Sequence, residues 1–131
     1  MTAAEIASLL DLAPHPEGGL FRETFRSAAS TAIYYLLRAG ETSHWHRIHS
    51  DELWHFYAGS PLTLSIAAEG SARREIALGN ALNHVQHPQA IVAANAWQGA
   101  RSEGDWTLVG CTVSPPFDFA HFELAPADFN P

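Results

Sequence analysis

From Ser43 to Gly59 the chain reads SHWHRIHSDELWHFYAG, and its residue types alternate along the stretch. A period of two is the mark of extended backbone, because successive side chains leave a strand on opposite faces. Ser50-Asp51 breaks the alternation with two turn-forming residues. The stretch therefore predicts two strands joined by a short turn. Residues two apart share a face, so His44 and His46 are expected to point the same way, with Glu52 opening the neighbouring strand. Two imidazoles and a carboxylate so placed can bind a metal, move a proton or grip a polar ligand.

The rest of the chain repeats this grammar. β-branched and aromatic runs at Leu20–Phe25, Thr31–Leu37, Leu62–Ala67, Arg73–Leu78 and Trp106–Val113 are separated by Gly, Pro, Asn and Asp turn signals. Shorter strands are expected at Val85, at Ile91–Ala94 and from Trp97-Gln98. Phe117–Leu124 reads as an aromatic tail. One helix is expected, at the start. Thr2 and Glu5 form a capping box, Ile6, Leu9, Leu10 and Ala13 follow helical spacing, and Pro14 stops it. About ten short strands and one helix predict an all-β sandwich or barrel. With no internal boundary signal, residues 1–131 are expected to form one domain.

Charge and composition narrow the partners. A net charge of −7 disfavours nucleic acid and anionic membranes. All seven basic residues are arginines, which excludes a lysine Schiff base or a phosphate-loop lysine. No apolar run approaches the ~20 residues of a membrane span, and no signal peptide is expected. The single cysteine, Cys111, lies in an apolar run and is expected to be a buried, inert thiol. These features predict a cytoplasmic protein.

Several short motifs resemble the cupin superfamily. His44-x-His46, Glu52 and Gly59 follow the first cupin motif, with a longer spacer after His46. In the second motif, proline, glycine and histidine are replaced by Ala93, Asn95 and Gln98. A closer likeness runs through His15-Pro16-Glu17-Gly18-Gly19, His46-Arg47, Asp51-Glu52, Trp54-His55-Phe56, Gly59, Trp97-Gln98 and Phe117-Asp118-Phe119. These look like the cupin type 5 or DUF985 subfamily, in which His46 is a recurring position and His44 is not. His121 stands where that subfamily more usually has an acid. The resemblance implies a cupin jelly roll, with one short helix here. It also implies a dimer and an activity akin to that of the sugar epimerases that share the fold.

The candidate site residues follow. His46 with Glu52, or with Asp51, is a candidate acid–base pair; Tyr57 or Tyr35 is a candidate partner acid. If Glu52 faces inward, alternation sends Trp54 and Phe56 with it and His55 and Tyr57 outward. Trp54, Phe56 and Trp97 are candidates for a ligand platform. Arg47 and Arg22 are candidates to hold an anionic group, and Glu17 and Gln98 to hold a polar one. A zinc, iron, manganese or nickel ion would take His46, Glu52 and Gln98 with His44 or His49. Three functions stay open. One is a sugar or sugar-nucleotide epimerase or isomerase using a His/Glu pocket. The others are a module that captures a small polar or sugar-like ligand, and a metal-dependent enzyme such as an oxygenase. A homodimer is expected, its sheet edges and aromatic tail needing cover.

Overall fold

The structure is a computed structural model describing residues 1–131. One short helix, α1 (Ala3–Leu9), is capped as its sequence predicts. Thr2 Oγ1 accepts the Glu5 N–H and Glu5 Oε1 accepts the Thr2 N–H. Its buried residue is Ile6, and the helix packs on the strand Thr31–Arg38.

Eleven strands follow: β1 (Ala13–Pro14), β2 (Leu20–Arg26), β3 (Thr31–Arg38), β4 (Thr42–Arg47), β5 (Asp51–Gly59), β6 (Leu62–Ala67), β7 (Arg74–Leu78), β8 (Gln89–Val92), β9 (Trp97–Ser102), β10 (Trp106–Ser114) and β11 (Glu123–Leu124). They form two antiparallel sheets, one in the order β1-β2-β3-β10-β5-β8 and the other β11-β4-β9-β6-β7. The chain crosses repeatedly from one sheet to the other, which gives the jelly roll. Tyr35, Leu37, Trp54, Leu62, Leu64, Ile66, Val92 and Val109 fill the space between the sheets. No helix is long and apolar enough to cross a membrane.

Three local departures from simple alternation matter. In β4, Ser43 pairs with Ala100 and His46 with Gln98, so β4 carries one extra residue. A bulge of this kind reverses the facing of everything beyond it. Ser43 and His46 both point inward and are 2% exposed, while His44 does not share the face of His46. In β5 a second bulge leaves Tyr57 without a partner on β10, where Val109 pairs with Phe56 and Leu108 with Ala58. The Tyr57 ring lies outside, across Gly110, where any side chain would collide with it. Val85, expected in a strand, instead has a left-handed backbone (φ 59) after a 3-10 turn at Leu82–His84.

The aromatic tail folds back on the chain, with Phe117 and Phe122 half-buried and Phe119 still 52% exposed. Phe117–Phe122 folds through a 3-10 turn, Phe119–His121, whose start is capped by Asp118. Phe117 and Phe122 then pack beneath it against each other. Part of the apolar character that suggested an intersubunit contact is used within the chain, while Phe119 and Leu124 stay exposed.

Candidate active site

His46 sits on β4 with both ring nitrogens engaged. Nδ1 lies 2.8 Å from the carbonyl oxygen of His44, and Nε2 lies 2.9 Å from Glu17 Oε2. A carbonyl and a carboxylate are acceptors, so both nitrogens donate, which is the imidazolium form. Burial by itself lowers the His46 pKa. The Glu17 charge and hydrogen bond, with help from Glu52 and the His44 carbonyl, overcome this and raise it to about 9.

Glu17 comes from the His15–Gly19 loop. Two contacts fix that loop: His44 N–H donates to the Glu17 carbonyl at 2.7 Å, and Gly18 (φ +107) passes so close to the Thr42 carbonyl that no side chain fits. Ser43 Oγ donates a short hydrogen bond to Glu17 Oε2. Burial pushes the Glu17 pKa up, but the His46 charge and the hydrogen bonds from His46 and Ser43 hold it below its ordinary value. Glu17 is thus a carboxylate. His15 Nδ1 lies 3.1 Å from Glu17 Oε1, yet it also accepts the Glu17 N–H. Burial lowers the His15 pKa, so His15 is a neutral acceptor and the contact is not an ion pair.

Glu52, inward on β5, has a different environment. Trp54 Nε1–H donates to Gln98 Oε1 at 2.8 Å, and Gln98 Nε2–H donates to Glu52 Oε1 at 2.9 Å. Indole nitrogen only donates, so the Gln98 amide must turn its oxygen to Trp54 and its NH2 to Glu52. Burial raises the Glu52 pKa, His46 lowers it, Glu17 raises it, and it stands at about 7. Glu52 also neighbours the Cys111 thiol, whose pKa burial pushes well up.

These groups line a small cavity holding about 70 Å³ of space for water-sized groups. His46, Glu17, Glu52 and Cys111 form its polar end, and Phe21, Ile33, Val113, Phe117, Phe119 and Phe122 its apolar walls. Phe122 stacks on the His46 ring at 5.6 Å and 25°.

The family model described as "Cupin superfamily (DUF985)" matches residues 4–125. The chain belongs to this cupin family. A hypothetical protein from Leishmania major is 31% identical, with 95% of this chain and 88% of that one aligned and a TM-score of 0.91. A Shewanella oneidensis protein is 36% identical, over 95% of this chain and 85% of that one, also at 0.91. Bacillus subtilis oxalate decarboxylase shares the fold at 10% identity, over 85% of this cupin and 29% of the enzyme, with a TM-score of 0.70. No curated protein sequence gives a significant match.

The residues expected at the site divide into two groups in this cupin. His46, Glu52, Gln98 and Glu17 come together. Trp54 lies behind Gln98, in the core and edge-on to Tyr35, and Phe56 packs on the same core. Tyr35 is buried, its hydroxyl donating to the Gly18 carbonyl. The others lie elsewhere. Arg47 and Trp97 meet on the outer face of the five-stranded sheet, the guanidinium 4.5 Å from the ring centre. Arg22 lies over Tyr34 on the outside of the six-stranded sheet. Asp51 is exposed and accepts the Ala94 N–H, and His49 stacks on His121 at the surface.

The His46–Glu52 pair is replaced by His46–Glu17, because the strand bulge and the ordered loop bring Glu17 to Nε2. As an imidazolium, His46 is not a base at neutral pH. Ser43 and Phe122 carried no chemical signal in the sequence that would mark them as neighbours of the site, and His15 was marked only as part of a motif, with no role. The four-residue metal set does not assemble either. His44 Nε2 is turned to the Ala125 and Pro126 carbonyls, both His46 nitrogens donate, and the Gln98 oxygen is taken by Trp54. No cluster of three His, Cys, Asp or Glu has metal-binding geometry.

Proposed function

We propose that this cupin is a small-molecule isomerase in which Glu52 moves a proton on a carbonyl substrate. One observation carries the reading. Of two buried carboxylates at the polar end, Glu17 is committed to His46 while Glu52, with a pKa of about 7, faces the cavity. A general base or acid works best when its pKa lies near the working pH. On an α-hydroxy carbonyl compound, Glu52 as carboxylate takes the proton from the carbon beside the carbonyl; the hydroxyl on that carbon passes its proton to the enediolate oxygen, and Glu52 as carboxylic acid returns its proton to the former carbonyl carbon. The fixed positive charge of His46 favours the electron-rich intermediate. Tyr35 is held by Gly18 and its pKa is pushed well up by burial, so it supplies no second acid. That favours one-base isomerisation over epimerisation by two opposed groups. The small cavity and its phenylalanine walls suit a compact, sugar-like carbonyl compound better than a whole sugar nucleotide.

The test begins with the ligand that co-purifies, identified by native mass spectrometry. In deuterated water the wild type should exchange that ligand's α-proton, and Glu52→Gln should slow exchange by roughly 100-fold or more while still binding. Equal exchange by both proteins removes Glu52 from the chemistry. Binding with no exchange by either points to a capture module.

The reading includes a homodimer through the outer face of the six-stranded sheet. There Leu53 pairs with Ile91, Tyr34 meets Tyr57 edge-on, and Ile91 and Tyr57 are 60% and 53% exposed. Adjacent exposed apolar side chains on a sheet face favour association.

A further inference from the structure

His46, Glu17 and Glu52 are each less than a tenth exposed. They lie at the inner end of a narrow cavity whose half-exposed lining residues Glu23, Arg26 and Phe119 mark its mouth, so a ligand of several heavy atoms needs a wall to move to reach them. Most walls are strands of the two sheets, held by hydrogen bonds to paired neighbours. Of the parts outside strands, the His15–Gly19 loop is pinned to β4 through Ser43, His44 and His46, and Ile48 is buried between β4 and β5; the remaining part is the segment after β10, Pro115–Pro131, which supplies Phe117, Phe119 and Phe122. Its only ladder is the two-residue β11, where Glu123 pairs with Arg47 and Leu124 with His46.

This segment reaches both sides of the five-stranded sheet. Phe122 covers His46 on the inside. Beyond β11 the chain rounds the sheet edge, and Phe129 packs outside against Trp97 (4.7 Å) and Trp45 (6.1 Å). Outer-face side chains fasten the strap on the way. His44 Nε2 lies 3.1 and 3.0 Å from the Ala125 and Pro126 carbonyls. Arg47 pairs with Glu123 at 2.9 Å while stacking on Trp97. Arg73 donates to Asn130 at 3.1 Å while stacking on Trp45.

We infer that Pro115–Pro131 is a gate over the cavity and that Phe129, seated against Trp45 and Trp97, is its latch. A segment with one short ladder and mostly exposed side chains opens locally at less cost than the sheets it covers. Inside, Arg26 donates to the Phe117 carbonyl and the Phe117 N–H to Thr31 Oγ1, both at 3.0 Å, and each fastening is a single cation–π contact, hydrogen bond, exposed ion pair or ring contact of modest strength. The latch lies on the opposite side of the sheet from the acid–base groups, so it can be altered without touching them. His44, Arg47 and Trp97, which the sequence pattern offered as ligand contacts, hold the gate instead. The consequence for ligand access rests on the small-molecule reading of the cavity; the opening itself does not.

Cys111 lines the cavity and is the chain's only thiol, so it reports opening directly. The experiment labels Cys111 with methyl methanethiosulfonate in the whole chain under native conditions, without ligand. Phe129→Ala should speed labelling by about tenfold or more, Phe129→Leu by less, and Phe25→Ala, exposed on β2, not at all. The added labelling should keep a shallower urea dependence than global unfolding, because little surface is exposed when a strap opens. Two results overturn the gate. One is Phe129→Ala labelling within about twofold of wild type. The other is labelling whose urea dependence equals that of unfolding, which means the thiol is reached only when the whole fold opens. Failure of the isomerase reading appears separately, in the deuterium exchange, with labelling unaffected.

Discussion

Glu17 Oε2 and His46 Nε2 are 2.9 Å apart with 8% and 3% of their side chains exposed, which ties the loop before β2 to the inner face of β4. Removing one member of such a pair leaves the other charged and buried, a cost of about 3–5 kcal/mol. The pair thus stabilises the loop and sets the charge of the cavity floor.

Stability should fall as the solution is made more alkaline. His46 has a folded pKa of about 9 against an ordinary 6.5, so its contribution is complete below pH 6.5 and is lost as pH rises through 9. Glu52 is raised from 4.5 to about 7. The folded state holds that proton where the unfolded chain has released it, so stability declines from pH 4.5 to 7 as well. Glu17, shifted down, adds stability above pH 4.5 and loses it in acid, through the same ion pair already counted for His46. Stability should peak near pH 5 and fall towards pH 9 by a few kcal/mol for each raised group, and the melting temperature should fall with it. Glu52→Gln should lose the decline between pH 4.5 and 7 and keep the one above it. A melting temperature that is flat or rising from pH 5 to 9 contradicts the assigned charges.

Gln98→Leu should destabilise by roughly 2–4 kcal/mol, because Trp54 Nε1–H and Glu52 Oε1 both lose their partner in a buried setting. The Gln98 hydrogen bond also lowers the Glu52 pKa. Its loss should move the carboxyl stretch of Glu52, followed by infrared difference spectroscopy, to a higher titration midpoint. An unchanged midpoint in a folded variant breaks the Trp54–Gln98–Glu52 chain as a functional unit.

Much of the fold was legible because local rules agree with the tertiary result. The capping box at Thr2 and Glu5, the strand at Leu62–Ala67 and the turn before β5 follow from short-range propensity alone. The site was only half legible. His46, Glu52 and Gln98 stand at motif positions, but which acid pairs with His46 depends on a bulge. One inserted residue in β4 turns His44 away and aligns Ser43 with His46, and no residue type in SHWHR announces it. Arg47 and Trp97 look like ligand contacts in sequence because charge and aromaticity do not reveal which side of a sheet they occupy. Phe117–Phe122 looks like an interface for the same reason, since apolar surface does not say whether its cover is another chain or its own cavity.

Light scattering at micromolar concentration should give twice the 14.3 kDa chain mass. Ile91→Arg, a charge placed opposite Leu53 on the outer sheet face, should return the protein to a monomer with the pH dependence of its melting intact. A monomeric wild type defeats the dimer. A dimer that survives Ile91→Arg places its interface elsewhere.

Added zinc, manganese, nickel or iron(II) should leave the melting temperature within about 1 °C, and a chelator should have no effect. The donors are already committed elsewhere. For His46 to ligate, it must first lose a proton held with a pKa of about 9. At pH 7 that costs roughly 3 kcal/mol before any metal bond forms. It must also leave Glu17, whose own charge then needs a new partner. Gln98 must turn its oxygen from Trp54 and present it where its NH2 now meets Glu52, and His44 must cross the sheet. Each change breaks hydrogen bonds, buried ones at His46 and Gln98, for a site with few donors left. Glu17→Gln relaxes the first constraint by freeing Nε2, so this variant should respond to metal more than the wild type, if either does. A rise of several degrees in wild type on adding one of these ions, reversed by the chelator, would overturn the imidazolium assignment of His46 and with it the role given to Glu52.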